Sequence, residues 1–405
     1  SKTTIQLGND ASDMDDAYNG RLLQIDDGTG KGQLALITDY DVSRDKTKKV
    51  ATIVPVAIAP DATTKYSILH ITKASTVVEA SDDTDVVTLA GSVAVAKGTG
   101  VGASVAIHDI ERDTQAVTGN LMTETDAAVG SLTLGGPVSI DAANSGFVLA
   151  ISLAAAIKKK SATVAANDPM DGVSLPTLFG ETSAATDQTG KSGAGIAGDV
   201  AITTVTDTAK AYIYKTGPIN ASNQTLTLSA SNDTDFIDVA GAVAISLTDP
   251  GKKSAGIAGS FGMNTANITT EAFVKDTTVT AGELTLNVRT GGLMVAVTAG
   301  GTGQTGTDSY GIAGSVSLNT ITHTTTAIVD NVNLTLSGNL TFTAENRSRL
   351  VAVGGAFSIG GKVGVGASVV INRINDTTKA EILGSNQTTA LNIGGKMTLQ
   401  ANNSS

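Results

Sequence analysis

GIAGSVSLNTITHTTTAIV, residues 311–329, is the stretch on which the fold turns. Four others align with it on the leading glycine: GVGASVAIHDIERDTQAVT (100–118), GIAGDVAITTVTDTAKAYI (195–213), GIAGSFGMNTANITTEAFV (256–274) and GVGASVVINRINDTTKAEI (364–382). Counted from the anchors Gly100, Gly195, Gly256, Gly311 and Gly364, offsets +1, +5 and +7 are apolar in all five copies, and +3 is always Gly or Ala. Offsets +2, +4 and +6 carry Gly, Ala and Ser, with one Asp and one Val. This is the period of two of a strand buried mainly on one face, the apolar one. Offset +16 is alanine every time: Ala116, Ala211, Ala272, Ala327 and Ala380.

A second anchor precedes each copy, in VVEAS, SIDAA, LTLSAS, LTLNV, LTFTA and MTLQA, at Ala80, Ala142, Ala230, Val288, Ala344 and Ala401. Successive anchors lie 62, 88, 58, 56 and 57 residues apart, so one unit is about 57 residues. The long interval has one cause, an insertion at 161–192 that holds Pro169 and Pro176 and reads as a surface loop. Between the anchors runs a third strand rich in Val, Ala and Gly, as in DFIDVAGAVAI. Helical periodicity is missing, and no proline follows Pro250, which suits long uninterrupted sheets.

A unit of this kind cannot bury its own apolar face, so neighbours must stack on a shared core. The expected fold is all-β: a β-solenoid, or β-helix, over residues 73–405. Either one wide coil or two coils per unit fits the period. A rival arrangement pairs the two strands of AFSIGGKVGVG as an antiparallel hairpin. Within the solenoid, small residues at +3 and +16 are expected where opposing walls approach too closely for bulk. The corners SDDTD (81–85) and SNDTD (231–235) recur where Asn and Asp suit turns.

Residues 1–72 are of different material, with 18 charged side chains in 72 positions against 47 in the remaining 333. Short strands (LLQID, LALITDY, VATIVPV, YSIL) broken by turns indicate a small β-domain. Through DDAYNG (15–20), GTGKGQ (28–33), ITDY (37–40), KVAT (49–52) and PDATTKY (60–66), it resembles a small module of phage tail and virion-associated proteins. That resemblance implies a structural or attachment domain and carries over no catalytic residue.

The repeats themselves, through residues 311–329 and 364–382 and the LTLSAS and LTFTAE strands, resemble those of giant filamentous bacterial surface adhesins, including the fusobacterial leukotoxin type and filamentous-haemagglutinin-like β-helices. The resemblance covers residues 73–405. It implies a secreted β-helical stalk on the bacterial surface, acting in adhesion or as an extracellular fibre, with host or cell-surface glycans as candidate partners.

Composition narrows the chemistry. With no cysteine there is no disulfide framework, thiolate nucleophile or Cys-based metal site. A net charge of −11 without a basic cluster argues against nucleic acid. The longest apolar run, FVLAISLAAAI (147–157), is 11 residues, too short for a membrane helix and suited to a buried strand. The N-terminus shows no apolar signal segment, so a targeting signal would lie outside this chain.

His70, His108 and His323 lie in different parts of the chain and suit surface or ladder positions. Asp10, Asp13, Asp15 and Asp16 form the one candidate metal cluster, suited to Ca²⁺, with a solvated loop as the alternative. Paired acids at the corners (Asp82, Asp83, Asp85; Asp233, Asp235) could serve glycan cleavage, but their repetition points to turns. No other cofactor or catalytic residue is expected. Two functions remain, a non-catalytic structural or adhesive fibre and a phage-like tail fibre or spike that binds or cleaves glycans. A solenoid exposes strand edges at both ends, so end-to-end association or continuation in neighbouring repeats is expected.

Overall fold

The computed structural model describes residues 1–69, 75–121, 130–159, 192–249, 251–385 and 389–404. His70 and all of the insertion except Ser192 lie outside the described residues. The chain divides into two compact units, Ser1–Ser75 and Thr76–Ser405. Both are all-β, and no described helix is long and apolar enough to cross a membrane.

The first unit is one antiparallel sheet of β1 (Thr4–Gln6), β2 (Leu22–Asp27), β3 (Leu34–Val42), β4 (Lys49–Ile53) and β5 (Lys65–Leu69), in the order β1-β4-β3-β2-β5. Alternation within these strands buries Leu23, Ile25, Ile37, Tyr40, Ala51 and Ile53 as its core. Tyr40 meets Tyr18 edge-on at 4.7 Å and donates its hydroxyl to Ser12 O at 2.6 Å. In the GTGKG turn, Gly28 has φ of 79°, and a Cβ there would lie 2.1 Å from Thr63 O, so only glycine fits.

The second unit comprises β6 (Thr76–Asp83), β7 (Val86–Ala96), β8 (Gly100–Gly119), β9 (Leu132–Thr133), β10 (Val138–Lys158), β11 (Gly193–Tyr214), β12 (Ile219–Ser246), β13 (Lys253–Thr290), β14 (Leu293–Gln304), β15 (Asp308–Leu336), β16 (Leu340–Asn346), β17 (Arg349–Ile359), β18 (Val363–Leu383), β19 (Ala390–Ile393) and β20 (Met397–Asn403). All their pairings among the described residues are parallel, in a large sheet compatible with a β-helix. Each strand lies on its equivalent in the next repeat. The anchors pair in series, Gly100 with Gly195, then Gly256, Gly311 and Gly364, and the alanines at +16 do the same. Leu284 pairs with Leu340 and Leu340 with Met397, so the chain returns to the same column once per repeat. The hairpin alternative for AFSIGGKVGVG is not formed: β17 pairs with β14 and β18 with β15.

Around the coil the interior changes character. Its wide half holds Leu226, Leu228, Leu284, Leu286, Leu340 and Phe342, with four of the +16 alanines fully buried and Ala380 packed at the margin. In its narrow half, the first part of β8, β11, β13, β15 and β18 faces β7, β10, β12, β14 and β17 across a layer of alanine, glycine and serine, including Ala154, Ala156, Ala197, Ala242, Ala244 and Ala258. A Cβ on Gly102 would lie 2.4 Å from Ala155 O, and one on Gly300 the same distance from Gly314 O. Backbone thus approaches backbone far more closely than in ordinary stacked sheets, about 10 Å apart.

This spacing overturns one expectation of the alternation. The small even offsets point inward and the apolar odd offsets point out. Most of the space between the two walls admits little more than a methyl or hydroxymethyl group, so valine and isoleucine take the outer face; the one valine at an even offset, Val370, lies against a glycine, Gly354. The steric reading of +3 fails with it: a Cβ on Gly198 or Gly259 would meet nothing within 4 Å. Among the anchor glycines the fit is tight at Gly364, where a Cβ would lie 2.7 Å from Ser358 O, and looser at Gly100, where the nearest atom would be Ala94 O at 3.4 Å.

Candidate functional site

The acidic cluster of the first unit is held apart by its own partners. Asp13 bridges Lys49 at 2.9 Å and Lys46 at 3.3 Å, which hold its carboxyl below the usual range. Asp15 accepts from Val42 N at 2.8 Å, Asp16 accepts from Asn19 at 2.6 Å, and Asp10 lies by Gly8. The structure gathers no three of these carboxylates as a metal-ligating group among the described residues.

The corner acids act as caps between coils. Asp85 accepts from Phe147 N at 3.0 Å, and Asp235 accepts from Leu293 N at 2.8 Å, the same bond repeated further up the stack. Asp83 accepts from the Ser145 hydroxyl at 2.9 Å, while Asp233 lies 4.0 Å from Arg289.

Chemistry that the sequence reading passed over sits inside the stack, at the wide end of the narrow half. Offset +12 reads Arg112, Asp207, Ile268, His323, Asp376, so neighbouring coils place opposite partners in contact. The buried Arg112 guanidinium grips Asp207 through two nitrogens, one at 2.8 Å, and donates to Ser145 O at 2.7 Å. His323 Nδ1 is 2.8 Å from Asp376 Oδ1, yet burial draws the imidazole below its ordinary pKa despite that partner. Both histidines of this unit are buried rather than superficial; His108 makes no hydrogen bond through either ring nitrogen, and burial lowers its pKa too. The signal was present as adjacent complementary residues in one column, hidden by the assumption that even offsets face solvent.

Two carboxyls stand out. Burial raises Asp238 to about 7, against the pull of the Asn264 amide and with the charge of Asp199 adding to the rise. Asp199, which accepts from the Ser152 hydroxyl, is pushed up to about 6 by burial. Neither oxygen of Asp238 makes a hydrogen bond. Above them runs an amide ladder, with Asn264 donating to Asn319 and Asn319 to Asn372, each at 2.9 Å. The cavity beside His323, lined by Phe236, Met294 and Ile321, encloses ≈ 10 Å³, at most one water. Asp199, Asp238, His108 and His323 are all buried.

The outer surface of the narrow half is the more accessible feature. Offsets +1, +3, +5 and +7 of the five coils present Val, Ile, Leu, Phe, Met, Ala and Gly, with no polar side chain among them. Val105, Ile107, Ile312 and Ile371 are 57%, 65%, 54% and 55% exposed. The Gly/Ala column at +3 forms the floor of a trough of ≈ 630 Å³ across all five coils, from Ala103 to Ala367, with Val105, Val200, Phe261, Val316 and Val369 as one bank. At +9 polarity returns with Asp109, Thr204, Thr265, Thr320 and Arg373. An apolar strip of this extent with a polar rim has the anatomy of an interaction surface.

Comparison with known proteins returns no matching family model, no matching curated protein and no matching solved structure.

Proposed function

We propose that this chain is a non-catalytic segment of a long extracellular fibre on a bacterial surface, structural or adhesive in role, built as a β-solenoid with one coil per unit of about 57 residues. The observation that carries the reading is the unbroken parallel register through five coils, in which the same columns repeat from Gly100 to Gly364. Such a stack lengthens by adding identical rungs, because each coil offers the next the same row of backbone donors and acceptors. Its functional surface then repeats along the axis instead of converging on one pocket. The interior polar contacts support the same reading, since the Arg112–Asp207 ion pair and the His323–Asp376 hydrogen bond each join one coil to the next.

Immunogold labelling of the producing cells with antibodies raised against the purified chain tests this. Gold along thin filaments that project from the cell surface is the expected result. Labelling confined to virion tails, combined with turnover of a surface glycan by the purified chain, would replace the fibre with the tail-spike reading. Labelling confined to the cytoplasm would overturn both.

A further inference from the structure

The apolar trough is self-complementary. Reflecting its columns about offset +4 exchanges +3 with +5 and +1 with +7, so every small residue of the floor meets a residue of the bank. Ala103 is matched to Val105, Gly198 to Val200, Gly259 to Phe261, Gly314 to Val316 and Ala367 to Val369. The bulkiest bank residue, Phe261, coincides with a glycine. Nothing inside the fold asks for that glycine, because a Cβ on Gly198 or Gly259 meets no atom and one on Gly314 only Ala367 O at 3.9 Å. Glycine within a strand weakens it, and often marks a place where another chain comes close.

We propose that this face is where two copies of the chain pack side by side, coil axes parallel, about a two-fold axis running along the stack over offset +4. Each copy lays its +5 ridge into the other's +3 trough at the same coil level. A second copy is the occupant favoured by the axial period: ridges and floor recur at the strand spacing, about 4.8 Å, and a partner must carry that period through five coils to stay in step. A second copy carries it by construction. Isologous pairing about a two-fold is also the commonest symmetry of assembly.

Size agrees with this. Five strands at about 4.8 Å and seven residues at about 3.3 Å give a face of roughly 24 by 23 Å, so two copies together cover about 1,100 Å², above the roughly 1,000 Å² that a specific interface requires. Charge does not oppose it. The rim column +9 falls opposite column −1 of the second copy, which places Asp109 against Thr99 and Arg373 against Val363, with no like charges together. The inference rests on this face alone and holds whether or not the chain belongs to a surface fibre.

Sedimentation of the purified chain over a wide concentration range reads the association directly, and a reversible monomer–dimer equilibrium is expected. The double variant Gly259→Val/Gly314→Val fills the trough from outside and should sediment as monomer, with an unchanged circular dichroism spectrum. Because the chain has no cysteine, a second measurement needs no background removal. Gly198→Cys and Val200→Cys chains, mixed under mild oxidation, should form a disulfide-linked dimer several-fold faster than either chain alone. A wild-type chain that stays monomeric throughout would overturn the proposal, whether or not it binds phosphatidylcholine vesicles; vesicle binding would assign the face to lipid. A dimer that survives the trough-filling variant but is lost in Val353→Glu, on the opposite outer wall, would overturn it as well, as would equal cross-linking in mixed and unmixed chains.

Discussion

Ala327 sits at offset +16 with no solvent exposure, stacked between Ala272 and Ala380 and surrounded by the leucines of the wide half. Leucine there adds three carbons to a filled layer, and Ala327→Leu should lower stability by about 1–3 kcal/mol, read as a shift in denaturant midpoint. Asp238 makes a different demand. Its folded pKa of about 7 lies above the unfolded value, so between those two pH values the folded chain holds a proton that the unfolded chain has released. Asp238 therefore supports stability fully only below the unfolded carboxylate pKa, and that support is lost as pH rises through about 7. Asp199 acts in the same sense up to about 6. Buried His108 and His323, with lowered pKa values, act oppositely, since stability falls as acid protonates them. Asp238→Asn isolates the first effect: it should raise the melting temperature more at pH 8 than at pH 5. An equal shift at both would show that the carboxyl is neutral throughout or already ionised.

At the scale of the element, the two walls of the narrow half give glycine two opposite meanings within one strand type. Gly102 points in, where a methyl group would lie 2.4 Å from the backbone oxygen of Ala155. Gly259 points out into open space. Gly102→Ala should therefore destabilise the chain, while Gly259→Ala should leave the thermal midpoint unchanged or raise it, since alanine restricts the unfolded chain more than glycine does. Differential scanning fluorimetry of the two variants checks the pair, and a larger loss at Gly259 would mean that the strand is turned the other way. This distinction was not legible in the sequence. Alternation shows that residues 100–107 have an apolar and a small face, but both faces lack charge, and hydrophobicity alone assigns the larger side chains to the interior. The corners were legible, because Asp85 and Asp235 recur at the same place in SDDTD and SNDTD and both cap an amide of the next coil.

For the whole molecule, the two units carry separate hydrophobic cores. The antiparallel sheet packs Leu23, Ile37 and Tyr40 entirely within Ser1–Ser75, and the stacked coils pack theirs within Thr76–Ser405. Calorimetry should accordingly resolve two unfolding transitions; one symmetric transition with equal calorimetric and van't Hoff enthalpies would show that the units melt as one. The sequence by itself determined the all-β class, the column order and the repeat, because parallel stacking in register demands that equivalent positions recur, and a recurrence such as the five alanines at +16 is visible without coordinates. Only the tertiary structure decided which of two uncharged faces is inside, and that Arg112 meets Asp207 while Asp238 is buried beside the Asn264 amide. Those outcomes depend on the distance between walls that are remote in sequence, and that distance is set by the packing of alanine and glycine across the coil, not by the alternation within any one strand.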